Sequence, residues 1–119
     1  MQWTVLFDET FATELADFDL EVRMELGAML ALLRQYGPQL ARPHADTLKG
    51  SRHANMKELR FNTVGGVWRV AYAFDPERAA ILLVAGDKSG TSERRFYRQL
   101  IDTADRRFDD HIRALAKGG

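Results

Sequence analysis

The sequence predicts an α+β fold: a small, largely antiparallel four-stranded sheet with an N-terminal helix or helical pair and a C-terminal helix. Three observations predict it. An apolar stripe of helical period runs from Phe11 to Leu33. Two alternating segments between Met56 and Asp75 flank a turn signal, and an unbroken apolar run follows them. A second amphipathic stripe closes the chain from Phe96 to Leu115. The element order is β–α(α)–β–β–β–α, with the helices over one face of the sheet and the other face open.

Each element has its own signal. Trp3–Asp8 (WTVLFD) is short, aromatic and β-branched, and reads as a strand. Phe11, Leu15, Phe18, Val22, Leu26, Met29 and Leu33 recur at steps of three and four, the spacing of one helix face. Asp17 and Asp19 suit helix caps, so this stretch divides into two helices near Phe18. Tyr36-Gly37-Pro38 stops it. Gln39 to Ala54 is polar, basic and proline-bearing, and reads as a loop. Met56–Asn62 and Val67–Asp75 form a hairpin about residues 63–66. Ala79–Asp87 has the continuous apolar character of a strand covered on both sides. Residues 1–117 form one domain, and 118–119 are a glycine tail.

Composition excludes several classes. Apolar content of 45% and charged content of 29% are those of a globular chain, and no apolar run is long enough to span a membrane. The first ten residues lack the basic start of a signal peptide, so the expected location is cytoplasmic. Without cysteine there is neither disulfide nor thiolate chemistry, and His44, His53 and His111 are too scattered to suggest a metal site. The formal charge is zero but segregated: residues 1–48 hold three Lys/Arg against eight Asp/Glu, and the remainder fourteen against nine. Such asymmetry points to a polyanionic partner.

The basic excess has a focus in LKGSRHANMKELRF (Leu48 to Phe61). Alternation assigns Leu59, Phe61, Trp68, Val70, Tyr72 and Phe74 to the core face, and turns Glu58, Arg60 and Arg69 away from it. A turn over 63–66 then sets Arg60 opposite Arg69. Like charges facing across a ladder are unfavourable. Either Glu58 or solvent offsets them, or the pair is built to hold an anion such as phosphate, whose oxygens match the guanidinium fork. Lys49, Arg52, His53, Lys88 and Tyr97 surround this platform, and Lys57 lies at the start of the strand with core parity. Neither GxGxxG nor GxxxxGK[ST] occurs, so no phosphate-binding glycine loop supports a nucleotide enzyme.

The run PHADTLKGSRHANMKELRF, with VWRVAYAFD and LLVAGDKSG…FY, resembles the HigB-like, phage-derived branch of the RelE/ParE toxin superfamily over essentially the whole chain. The resemblance implies the toxin of a type II toxin–antitoxin pair. It implies a ribosome-dependent mRNA endoribonuclease, working without metal or small-molecule cofactor through attack of a 2′-OH on the adjacent phosphate. It also implies a helix-turn-helix, HigA-like antitoxin as partner. Carried over by position, Arg69 contacts the scissile phosphate, Lys88 and Arg60 are further cations, and Tyr97 stacks or transfers a proton. Lys49, Arg52, His53 and Lys57 would hold RNA backbone. Glu58 stands where some relatives have lysine, so it is either the general base or structural. The fold equally serves a ParE-like gyrase poison without catalysis, or an inactive antitoxin-binding module.

Overall fold

The computed structural model describes residues 2–118. Its elements are β1 (Val5–Phe7), α1 (Glu9–Ala16), α2 (Leu20–Tyr36), β2 (Ala45–Thr47), β3 (Lys57–Thr63), β4 (Gly66–Phe74), β5 (Ala80–Asp87) and α3 (Glu93–Gly118). The class is the expected α+β, but the sheet has five strands in the order β1-β5-β4-β3-β2. The added strand, β2, lies inside the stretch read as a loop and pairs antiparallel with β3, Asp46 opposite Glu58. Three residues reading ADT carry no alternation of their own, so only the partner strand reveals them. β1 pairs parallel with β5, and the other pairings are antiparallel.

The helical break falls where expected. Asp8 caps α1 by accepting a 3.0 Å hydrogen bond from the Phe11 amide, and Asp17 closes that helix. Asp19 begins α2 without a side-chain capping bond. Between the helices, Phe18 turns inward and packs at 5.2 Å from Trp68. α2 stops at Gly37, whose φ of +55° and the Trp3 ring lying where a Cβ would project both demand glycine. β3 and β4 join through the two residues Val64 and Gly65, tighter than the four-residue loop but with the same register, Asn62 opposite Val67 and Arg60 opposite Arg69.

Helices cover both faces of the sheet, which corrects the one-sided arrangement. One core joins Leu59, Phe61, Val70, Tyr72 and Leu82 to Phe11, Val22, Leu26, Met29 and Leu33 of α1 and α2. The other joins Ala71, Ala73, Ile81 and Leu83 to Phe96, Leu100, Ala104 and Phe108 of α3. The small side chains of Ala71 and Ala73 let α3 lie close to the second face.

Polar contacts fix α3 along its length. Arg107 donates to Glu14 at 2.7 and 2.9 Å and to the Leu83 carbonyl at 2.8 Å. His111 meets buried Asp75 at 2.8 Å. The helix includes Gly118, one residue past the expected domain boundary, and Gly119 lies outside the described residues. Among the described residues no helix is long and apolar enough to cross a membrane.

Candidate functional site

Period-two geometry sends Glu58, Arg60 and Arg69 to the face that α3 covers, and α3 brings Tyr97 to them. The Tyr97 hydroxyl donates to Glu58 Oε1 at 2.9 Å, and Arg69 Nε donates to the same hydroxyl at 3.3 Å. Arg60 Nη1 donates to Glu58 Oε2 at 2.8 Å, and Arg69 Nε lies 3.9 Å from Oε1. One buried carboxylate therefore sits between two guanidiniums, which is how the sheet tolerates Arg60 opposite Arg69. Glu58 and Arg69 are only 5% and 7% exposed at their side chains, Arg60 23%. Arg69 thus belongs to a covered network, contrary to its expected place outside the core.

Lys88 extends the cluster. Its Nζ lies 5.8 Å from the Tyr97 ring centroid and donates to Glu93 at 2.7 Å. The Lys88 hydrogen bond, then its charge and those of Arg69 and Arg60, hold Glu93 below the ordinary carboxylate range. Burial, reinforced by the Glu58 hydrogen bond and charge against the opposing pull of Arg69, raises the Tyr97 pKa. At neutral pH this phenol keeps its proton and works as a donor.

Two adjoining clefts open onto these groups. One, of about 300 Å³, is lined by Arg42, Pro43, Arg60, Phe61, Asn62 and Arg69. The other, of about 230 Å³, reaches Lys49, Asp46, Glu58, Arg60 and Tyr97. Arg42 borders both, with its Nε 2.8 Å from Asp46. The arrangement offers a carboxylate acceptor, a protonated phenol and several cations around one space.

The structure does not bring every expected residue here. Arg52 and His53 pair with Asp109, the His53 contact being 2.8 Å, and the Arg52 amide donates to buried Asp105 at 3.0 Å. Asp109 is twelve residues past Tyr97, about 18 Å along the helix. The acidic face of α3 thus holds the two loop residues away from the site. Lys57 faces α2, sharing parity with Leu59 and pairing with Tyr72. Arg42 and Glu93 escaped the sequence reading. Neither carries a sequence signal: Arg42 reaches Asp46 from a turn into β2, where helical spacing does not apply, and Glu93 matters only through the fold.

The chain has relatives. Residues 13–109 match the family described as phage derived protein Gp49-like (DUF891). A candidate toxin HigB2 of Mycobacterium tuberculosis is 40% identical over 105 residues, 87% of this chain, which spans about half (52%) of that protein's length. A candidate toxin HigB3 of the same organism is 43% identical over 88 residues, 74% of this chain and 75% of that protein. Among solved structures, a double-mutant E. coli toxin RelE in the free state superposes with a TM-score of 0.58 at 16% identity, covering 86% of this chain and 96% of that one. The isolated E. coli RelE toxin gives 0.57 at 17% identity, with 82% and 95% coverage. These two show the fold. The chain therefore belongs to the phage-derived Gp49-like family, with HigB proteins as its relatives.

Proposed function

We propose that this chain is the toxin of a type II toxin–antitoxin pair and cleaves mRNA on the ribosome by transesterification, neutralised by a HigA-like helix-turn-helix antitoxin. One observation carries the reading: the hydrogen-bonded line Arg69–Tyr97–Glu58, with Arg60, where Glu58, Tyr97 and Arg60 line one open cleft and Arg60 and Arg69 the adjoining one. Glu58 takes the proton of a ribose 2′-OH as that oxygen attacks the adjacent phosphorus. Tyr97 gives its proton to the departing 5′-oxygen, and the proton on Glu58 then returns to Tyr97 through their mutual hydrogen bond. The products are a 2′,3′-cyclic phosphate and a 5′-OH end, and both residues are restored. Arg60, the more exposed guanidinium, meets the phosphate first, while Arg69 and Lys88 offset charge on the phosphorane and on transient phenolate.

The test is to induce the protein in growing bacteria and map new RNA 5′ ends, comparing wild type with Tyr97→Phe and Arg60→Gln. New 5′-OH ends inside translated frames, lost in both variants, support cleavage by this site. A second reading draws on the completeness of the Glu58 network, which already pairs both arginines and suits a non-catalytic binder such as a gyrase poison. Arrested growth with intact mRNA and relaxed or broken DNA would establish that reading instead.

A further inference from the structure

The six arginines of α3 divide into two sets. Arg106, Arg107 and Arg113, in its second half, each pair with a carboxylate: Asp102, Glu14 and Asp110. Arg94, Arg95 and Arg98, in its first two turns, are all exposed, and none forms an ion pair among the described residues. The nearest acid in sequence, Glu93, is committed to Lys88. With Ser92 these three arginines line a hollow of about 290 Å³ that has no apolar residue in its lining. Arg94 and Arg98 are four residues apart, neighbours on a helix, and like charges at that spacing are destabilising.

A helix that neutralises three arginines and leaves three clustered and repelling is arranged for an anion from outside. The absence of an apolar lining argues against a protein partner, because protein interfaces carry an apolar core. Guanidinium forks without apolar surroundings suit a phosphodiester backbone. The patch also lies next to Tyr97, which lines the cleft, on the surface of α3. At 3.6 residues per turn, Arg94 and Arg98 follow Tyr97 around the exposed side of the helix, and Arg95 lies farther round.

We infer that Arg94, Arg95 and Arg98 form a docking track for the phosphate backbone of single-stranded RNA leaving the Tyr97 end of the cleft. This rests on the proposed RNA-cleaving function and replaces Arg52 and His53 as the backbone-holding group.

The test uses a fluorescein-labelled 12-nucleotide RNA with 2′-O-methyl sugars, which binds but cannot be cleaved by 2′-OH attack. Its affinity is measured across a salt series for wild type, the triple variant R94Q/R95Q/R98Q, and the control R23Q on α2. Each lost phosphate contact lowers the salt slope by about 0.7. The triple variant is therefore expected to lose about two units of slope and at least tenfold in affinity at low salt. Its thermal midpoint should be no lower than that of wild type, since no intramolecular pair is removed and a like-charge repulsion is relieved, and R23Q should match wild type in RNA binding. Unchanged slope and affinity in the triple variant, an equal loss in R23Q, or no binding by wild type would overturn the track. So would a 12-residue poly-glutamate peptide that binds through these arginines while RNA binding ignores them. Because the probe reads binding without chemistry, arginine-dependent binding by a protein that leaves cellular mRNA intact upholds the track and refutes cleavage. Cleavage with unaltered binding in the variant refutes the track alone.

Discussion

Glu58 on β3 and Tyr97 on α3 are joined by a 2.9 Å hydrogen bond that ties the last helix to the strand beside the β2 edge of the sheet. The same carboxylate separates Arg60 from Arg69, so stability and proposed chemistry share one buried group.

Glu58→Gln should therefore destabilise strongly. It leaves two guanidiniums facing each other, one of them buried, without a countercharge. Removing one partner from a buried pair costs about 3 kcal/mol or more. A fall in thermal midpoint of about 10 °C is expected for a domain of this size, read by circular dichroism. Arg60→Gln, at the more exposed site, should cost about 1 kcal/mol or less. Equal losses in the two variants would contradict the central place of Glu58.

Tyr97→Phe separates chemistry from fold. It removes the donor from Glu58 and the acceptor from Arg69 but keeps the ring, for a stability cost of about 1 kcal/mol. Loss of a general acid lowers rates by about 10² to 10⁴. The expected outcome is a folded protein whose new 5′-OH ends fall at least a hundredfold. Undiminished cleavage would assign the proton to another group.

Tyr72→Phe should stabilise. The Tyr72 hydroxyl is buried with no hydrogen-bond partner among the described residues, and burial raises its pKa. Deleting it removes an uncompensated desolvation of about 1 kcal/mol, worth a few degrees in thermal midpoint. A pKa raised by folding means that stability is full below the ordinary tyrosine value of about 10 and falls as pH rises beyond it. The variant should lose part of this alkaline sensitivity, as followed by urea unfolding between pH 8 and 11.

The Arg107–Glu14 pair gives an acid-side expectation. Arg107's hydrogen bonds hold Glu14 below the ordinary carboxylate range, against a smaller effect of burial. A depressed folded pKa gives a contribution that is complete above the unfolded value of about 4.3 and disappears as pH falls through the folded one. Glu14 is 40% exposed, so this contribution is less than about 1 kcal/mol. Glu14→Gln should thus be slightly less stable than wild type at pH 7 and equal to it near pH 2. A constant difference across that range would refute the linkage.

Much of this architecture was legible because it rests on local periodicity. The helical stripe, its break near Phe18, and the Arg60–Arg69 register follow from spacing that neighbouring residues impose. β2 escaped because an edge strand of three residues owes its form to β3 rather than to its own sequence. The second core escaped because Ala71 and Ala73 are small enough to look incidental between Val70, Tyr72 and Phe74. Arg52 and His53 looked available because Asp105 and Asp109 lie more than fifty residues later, although their i,i+4 spacing marks one acidic face of α3. Glu58 was visible as a carboxylate among cations, but its burial was not, since it depends on a helix expected on the other side.

The position of α3 after the hairpin in the chain bears on when the Glu58 cluster is assembled. A chain emerges from the ribosome N-terminal end first, so α3 is the last described element to emerge. β1 likewise waits for β5, its parallel partner more than seventy residues later in the sequence. Until α3 emerges, Tyr97 cannot reach Glu58 and the second face of the sheet stays bare. A nascent chain that has released the hairpin but not yet α3 therefore holds its arginines without the phenol, and the cluster exists only once α3 has emerged.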